Sequence, residues 1–346
     1  MRRGMSLLLG SPRAVWLLAI PALAVGIVLG PLFPQQQLTL TDVFIAGLLV
    51  LSLVVLTGFT GQISLCQATF QGLGAFVAGN LVAYHGLSWW VAAPVAIAAA
   101  ALLGVLVGLP ALRLRGLQLA IVTLAVAVVF DNYVFYTPHF RWLTHAPEFV
   151  AGARRPTLLG LEFQNRPLRF YYLALAVFVL ALLVVRNVRR GKTGRVLRAL
   201  RDSEVASSVN GLDLTRYKLL AFGLSAAIAG ASGALLAIRF DAGSVSPSPF
   251  DFVHSLNITA IAVLVGVNFI PAAVIGGILD RYFQVLATDV LHIAFDWVPL
   301  ILAAALIAQI VLAPEGLWGA LRHTYYSLLA RGAPKILPAG SGAEGG

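Results

Sequence analysis

The sequence predicts an all-α fold, a polytopic membrane bundle of about ten transmembrane helices. Of the 346 residues, 59% are hydrophobic and 11% are charged, which leaves too little polar surface to cover a soluble globule of this size. Long apolar runs recur along the chain. A single strongly polar stretch, residues 186–218, interrupts them and holds nine of the 24 basic residues. Composition and spacing therefore exclude a soluble globular domain.

Ten apolar segments are each near the length needed to cross about 30 Å of hydrocarbon. These segments are 14–33, 39–57, 64–84, 90–111, 116–136, 169–185, 217–238, 252–270, 272–289 and 297–313. The first is long for a signal peptide and lacks a small-residue cleavage site, so we expect it to be retained as a span. We treat 1–346 as one transmembrane domain that ends in a disordered tail at about 332–346.

The distribution of basic residues predicts the orientation of the bundle. Short loops rich in Lys and Arg stay in the cytoplasm, which places 186–218 inside. The same orientation puts 17 basic residues inside, six outside and one, Arg281, within a span. Segment 137–168 then lies outside, either to meet an external partner or as a plain connector. Topology therefore explains the net charge of +10 without nucleic acid.

Within the polar stretch, residues 194–209 predict one short, basic, amphipathic helix that ends at an Asn-Gly pair. Val196 and Leu200 gather on one side of it, and Arg198 and Arg201 near another. Such a helix is typical either of a protein contact or of a solvated position beside anionic lipid headgroups. Charge alone does not separate these two interpretations.

Segment 57–80 combines five glycines with several amide and hydroxyl side chains. Glycine interruptions with amides at bilayer depth indicate a broken or re-entrant helix that lines a watery route. On a continuous helix, Ser64, Gln67 and Gln71 would share one face, and the alternative is hydrogen bonding between helices of the bundle. The candidate route residues are Gly61, Gln62, Ser64, Gln67 and Gln71.

Asp280 and Arg281 lie within the ninth predicted span. Charged side chains there are costly unless they are paired or face a cavity. Neighbours on a helix do not face each other, so we expect a different partner for each. The alternative is that the span boundary is misplaced and both lie near the membrane surface.

We expect no cofactor on this chain. Gly191-Lys192-Thr193 looks like the end of a phosphate-binding loop, but position 186, where that loop needs glycine, is arginine. The six histidines show no ligand spacing, and no nucleophile motif is present in the sequence. The sequence therefore predicts neither a metal site nor an enzyme.

Four motifs resemble one known family in the family's own order. They are GFTGQISLCQATFQGLGAF at 58–76, RLRGLQLAIVTLA at 113–125, GRVLRALRDSEVASSVNGLDLTRYKLLAFGLSAAIAGASGAL at 194–235 and APEGLWG at 313–319. The chain is similar to the permease subunits of branched-chain amino-acid ABC importers, a family that also serves urea and short amides. It departs from the family's glycine-rich pattern at 144–149 and 266–271.

The resemblance implies a multi-pass subunit of the bacterial inner membrane. Its expected partners are a second, similar permease, two cytoplasmic ATPase subunits that bind ATP and Mg, and a periplasmic substrate-binding protein. In this family the segment matching 194–211 is the cytoplasmic coupling helix. Its candidate coupling residues here are Val196, Leu200, Arg201, Asp202, Glu204 and Gly211. The competing hypothesis is an ion- or proton-coupled secondary carrier with Asp280 and Arg281 as its relay.

Overall fold

The computed structural model describes most of the chain in several stretches. The described residues are 30–114, 116–144, 150–151, 157–158, 161–162, 166–239, 244–245, 250–285, 300–301, 303–304 and 307–308. Predicted spans 14–33 and 297–313, the terminal motif at 313–319 and the tail at 332–346 lie wholly or mostly outside them.

The described chain is helical, as the sequence predicts. The α-helices are α1 Gln37–Leu53, α2 Gln67–Ala83, α3 Trp89–Ala111, α4 Leu117–Val129, α5 Arg141–Thr144, α6 Pro167–Arg190, α7 Lys192–Asp202, α8 Glu204–Val209, α9 Leu214–Arg239, α10 Phe252–Val265 and α11 Ala272–Val285. Short 3-10 turns cover Pro34–Gln36 and Pro138–Phe140, and π-helical turns Val54–Gly58 and Phe130–Phe135 extend α1 and α4.

Four two-residue strands make two small antiparallel pairs within the described residues. Strand β1, Val150–Ala151, pairs with β4, Ser244–Val245, and β2, Thr157–Leu158, pairs with β3, Leu161–Glu162. The first pair joins the segment after α5 to the segment after α9.

Five described helices are long and apolar enough to cross a membrane. They are Pro34–Gly58, Trp89–Pro110, Leu117–Phe135, Pro167–Arg190 and Leu214–Arg239. Three further predicted spans correspond to the shorter helices α2, α10 and α11, of which α11 reaches the edge of the described residues at 285.

Two helix boundaries differ from the prediction, both at a glycine. The predicted span from 64 begins as a helix only at Gln67, because Gly61 has φ 70° and the chain stays non-helical through Cys66. The predicted span to 270 ends at Val265, because Gly266 has φ 113°. A side chain disfavours such positive φ values, and glycine tolerates them.

The single helix predicted over 194–209 is wrong, since the structure has two helices there. Ser203 is extended, with φ −160°, and separates α7 from α8. Its Oγ accepts a hydrogen bond of 3.2 Å from the backbone N–H of Ala206, which caps the start of α8. Strong helix formers on both sides concealed this serine cap in the sequence.

Helix α9 is the central element, packed against α1, α2 and α3. Small residues allow the approach: a Cβ on Gly74 would lie 2.4 Å from the carbonyl oxygen of Gly230, and one on Gly104 would lie 2.3 Å from Cβ of Ala226. In a lipid bilayer no hydrophobic force drives helices together, so they associate by close packing of their backbones at small residues. The small-residue pattern of α9 thus sets the width of the bundle.

Candidate functional site

The site is described relative to two ends of the bundle. The end that carries α7 and α8 is called the basic end, and the opposite end, where α9 finishes at Arg239, is called the far end. Helix α1 runs between them, with Asp42 near the far end and Gly58 at the basic end.

A polar seam inside the bundle centres on Gln67. Its Nε2 donates to Ser225 Oγ on α9 at 3.3 Å and to Ser64 Oγ at 3.4 Å, and its Oε1 accepts from Ser52 Oγ on α1 at 3.0 Å. Ser225 Oγ in turn donates to the Ser52 carbonyl at 2.7 Å. All four side chains are buried. One amide therefore links three parts of the bundle.

Gln71 repeats this arrangement one turn later on α2. Its Nε2 donates to Ser232 Oγ on α9 at 2.8 Å, and Ser232 Oγ donates to the Ile45 carbonyl on α1 at 2.8 Å. The Oε1 of Gln71 is buried, and no group in the described part of the chain donates to it. The polar seam consists of Ser52, Ser64, Gln67, Gln71, Ser225 and Ser232. Its side chains are hydrogen-bonded to one another, and the Oε1 of Gln71 is an acceptor without a donor among the described residues.

Side chains of distant helices bond one backbone group of the break at 61–66 and one of the first turn of α2. Leu65 N–H donates to Thr123 Oγ1 on α4 at 3.0 Å, and Ala68 N–H donates to Ser255 Oγ on α10 at 2.9 Å. Non-helical backbone at membrane depth needs such partners or a water-filled cavity. Gln62 lies in the break with Oε1 buried and unbonded among the described residues.

The sequence therefore located a real interruption, and the structure brings Gly61, Gln62, Ser64, Gln67 and Gln71 to it or just beyond it. Ser64 does not share a helix face with the two glutamines, since α2 starts at Gln67. The interhelical hydrogen bonds of the alternative interpretation are present. Whether these residues also line a route stays a prediction.

Helix α7 is amphipathic, with its apolar side turned toward this chain's own bundle. Leu197 and Leu200 are buried in the main core cluster and Val196 packs against it. A Cβ on Gly194 would lie 2.4 Å from the Val188 carbonyl oxygen, so the start of α7 sits directly on the end of α6. The apolar surface proposed for a partner is covered within the chain.

Two charged residues at the α7–α8 junction bind inside the chain. Glu204 Oε1 lies 2.6 Å from Lys218 Nζ, a buried ammonium on α9. Arg201 Nη1 donates to the Gly58 carbonyl at 2.7 Å and also to Asn268 Oδ1. Asp202 is exposed, and Gly211 has φ 73° in the turn that leads to α9. The junction is thereby fixed to α1, α9 and the turn after α10.

Helix α8 presents an exposed apolar pair at the basic end. Val205 is 66% exposed and Val209 is 83% exposed, one helical turn apart. Ser207, on the opposite side, is buried. The sequence does not indicate this pair, because on a single helix over 194–209 the apolar face consists of Val196 and Leu200.

At the far end, one carboxylate joins three helices. Asp42 accepts from Arg239 Nε at 2.8 Å and from Arg239 Nη2 at 3.2 Å, and its Oδ2 lies 3.3 Å from Arg281 Nη2. Arg281 therefore has the separate partner expected for it. Asp280 is buried, and its Oδ1 has no hydrogen-bond partner among the described residues.

Several residues of these sites were not identified from the sequence. Ser225 is a small residue at a packing position, and its hydroxyl gives no pattern that separates a hydrogen-bonding role from close packing. Ser52 and Ser232 are single polar residues in apolar runs, Ser255 stands between His254 and Asn257, and Asn268 lies in a turn; their partners lie on other elements. Isolation within an apolar segment could have singled out Ser52 and Ser232, and no pattern marks the other two.

Comparison with known proteins places the chain among transport proteins. Residues 37–310 match a family described as branched-chain amino acid transport system / permease component. The chain is 33% identical over 301 residues to the high-affinity branched-chain amino acid transport system permease protein LivM of Escherichia coli K12, covering 81% of this chain and 68% of LivM. No solved structure matches.

A second similarity is to the probable branched-chain amino acid transport permease protein LivH of Methanocaldococcus jannaschii. The identity is 23% over 284 residues, covering 79% of this chain and 88% of that protein. The high-affinity permease LivH of Salmonella typhimurium is 26% identical over 145 residues, or 42% of this chain and 46% of LivH.

Proposed function

The chain belongs to the permease-component family of branched-chain amino acid transport systems, and from that premise we propose that it is the membrane-spanning subunit of an ATP-driven importer. It carries branched-chain or related amino acids, rather than urea or amides, from a periplasmic binding protein across the bacterial inner membrane. A second permease and two cytoplasmic ATPase subunits complete the assembly, and ATP and Mg bind to the latter.

The observation that carries this proposal is the exposed α8 face at the basic end. Val205 and Val209 project from a segment whose basic neighbours favour the cytoplasmic side. Because Val205 and Val209 lie side by side on a helix that the Glu204–Lys218 ion pair holds on the bundle, they can be buried together against another protein. Of the partners expected for a permease of this family, the ATPase subunits are the ones on the cytoplasmic side.

In this assembly the candidate coupling residues divide between two tasks. Val196, Leu200, Arg201 and Glu204 hold the segment on the bundle through the contacts described above. Asp202 is exposed beside α8, where a carboxylate can bind donors of the ATPase subunit. Gly211 allows the chain to turn back into α9 with φ 73°.

Replacing Val205 or Val209 with aspartate is expected to weaken ATPase retention by about tenfold or more, since a charge replaces a buried apolar contact. The measurement is co-purification of the ATPase subunits with the tagged permease from membranes. Thr215→Asp, at an exposed position in the first turn of α9, adds the same charge as a control and should retain them.

Wild-type protein that never brings an ATPase subunit with it would contradict the proposed function. So would uptake of labelled leucine by the permease alone under an ion gradient, which is the behaviour of a secondary carrier. Retention of the ATPase in both aspartate variants would instead show that the permease contacts the ATPase at a site other than α8. Binding at α8 would also establish that the basic end is cytoplasmic.

We also propose that the polar seam borders the substrate route. Gln67→Leu should reduce uptake of labelled leucine, isoleucine and valine by about tenfold, because it removes both polar atoms of the amide while keeping its approximate volume. Folding should survive, since Ser52 Oγ can donate its proton to the Leu49 carbonyl, 2.6 Å away, and Ser225 Oγ donates to the Ser52 carbonyl. Joint loss of uptake and of ATPase retention would favour a packing role alone.

A further inference from the structure

Arg201 makes contacts unlike those of the other arginines of α7. Arg198 donates to the carbonyls of Gly194 and Arg189, at 3.1 and 3.4 Å, and Arg195 donates to the carbonyl of Arg190 at 3.4 Å. These acceptors lie on α7 itself or on the end of α6. Arg201 reaches instead to the Gly58 carbonyl at the end of α1 and to Asn268 between α10 and α11.

The acceptors of Arg201 sit where two backbones meet. A Cβ on Gly58 would lie 2.1 Å from the carbonyl oxygen of Val267, so the end of α1 touches the turn after α10 with no side chain between them. Gly58 ends a π-helical turn, and terminal carbonyls of a helix lack intrahelical donors. A guanidinium is suited to this place, because its fixed fork of donors can bind two oxygens at once.

The break in the polar seam also contacts the Arg201 side chain. A Cβ on Gly61 would lie 3.1 Å from Arg201 Cγ, and Gly61 has φ 70°. The stem of Arg201 therefore lies against the residue that starts the break, while its head binds the residue that ends the π-helical turn. One side chain contacts α1, the break and the 266–271 turn.

Arg201 binds the Gly58 end of α1 and the turn that leads into α11, and these two helices are tied together again at the far end. Asp42, near the start of α1, bonds Arg281 on α11 at 3.3 Å and Arg239 on α9 at 2.8 Å. Between these ends, a Cβ on Gly277 would lie 2.3 Å from the Val43 carbonyl oxygen, so α1 and α11 are in backbone contact. Helices α1 and α11 are thus joined at both ends and packed backbone to backbone between them.

We propose that Arg201 is a positioning residue that transmits displacement of α7 and α8 to α1 and to the α10–α11 turn. The proposal rests on the proposed function, in which an ATPase subunit moves α8. A displacement of α8 is passed to the bundle through the hydrogen bonds that Arg201 makes to Gly58 and Asn268. These bonds lie beside Gly61, where the break that leads into the polar seam begins.

The test measures coupling rather than assembly. The permease is purified with its ATPase subunits and second permease, reconstituted into liposomes with the binding protein, and assayed for leucine uptake per ATP hydrolysed. Arg201→Gln should lower this ratio by about fivefold to tenfold, because it removes the partly exposed, charge-assisted hydrogen bonds that connect α7 to α1 and to the 266–271 turn. Arg201→Lys keeps one charged donor and should retain part of the ratio.

Arg198→Gln is the matched control, since it makes the same chemical change on the same helix without breaking a bond to α1 or to the 266–271 turn. Its uptake per ATP should equal that of the wild type. Asn268→Ala should lower the ratio while leaving Arg201 in place. The double variant Arg201→Gln, Asn268→Ala should lose no more than Arg201→Gln alone, because both remove one interaction.

Equal ratios for Arg201→Gln and Arg198→Gln would overturn the inference while leaving the proposed function intact. Loss of ATPase retention in Arg201→Gln with hydrogen exchange of α8 unchanged would also overturn it, because Arg201 would then bind the partner directly. If Arg201→Gln does not yield a folded complex, Asn268→Ala decides alone: a lowered ratio supports the inference and an unchanged ratio refutes it. Failure of every variant and of the wild type to retain ATPase counts against the proposed function itself.

Discussion

Gly233→Val is expected to prevent formation of the folded bundle. A Cβ on Gly233 would lie 1.9 Å from the Gln71 carbonyl oxygen and 2.8 Å from the Ala75 backbone nitrogen, so valine must push α9 away from α2. That shift would also strain the Gln71–Ser232 hydrogen bond. We expect a cost on the order of 4 kcal/mol or more, since backbone atoms cannot move aside as flexible side chains can.

The measurement is size-exclusion chromatography of detergent-solubilised protein together with its thermal unfolding midpoint. Ala231→Val makes a similar change on the same helix at a half-buried position, and it should leave a monodisperse peak. A wild-type midpoint for Gly233→Val would show that α2 and α9 are not in backbone contact.

Glu204→Ala is expected to detach α8 from α9 while the bundle stays inserted. The side chain of Lys218 is only 5% exposed and that of Glu204 is 20% exposed, so alanine leaves a buried ammonium without the carboxylate 2.6 Å away. Removing one partner of a buried ion pair costs about 2 to 4 kcal/mol. Hydrogen exchange of α8 should accelerate, and retention of ATPase subunits should fall with it.

The control for this change is Arg216→Ala, which breaks an ion pair with Asp213 whose members are both well exposed. Ion pairs between exposed side chains contribute little to the free energy of unfolding, so we expect no measurable change in the hydrogen exchange of α8. The double variant Glu204→Leu, Lys218→Met should restore protection, because two apolar side chains can replace a buried pair at little cost. Unchanged exchange in Glu204→Ala would show that the ion pair does not hold α8.

These two predictions concern contacts that the sequence did not reveal. Gly233 lies against Gln71 and Ala75 of α2, and nothing in the sequence around Gly233 indicates these neighbours. The family resemblance makes Glu204 a candidate coupling residue and indicates no partner for it within the chain. Its mate, Lys218, lies beyond the Gly211 turn on the next helix.

The sequence by itself determined the helical fold class, the positions of those apolar helices that the structure describes, the basic segment and an interruption within 57–80, because each follows from local composition. It also determined the family, through motifs spread from 58 to 319. Only the tertiary structure decided that Arg201 binds Gly58 and Asn268 and that Asp42 joins Arg239 to Arg281. The physical reason is range: hydropathy and helix propensity are properties of neighbouring residues, whereas a hydrogen bond between residues 67 or more positions apart depends on how the helices pack.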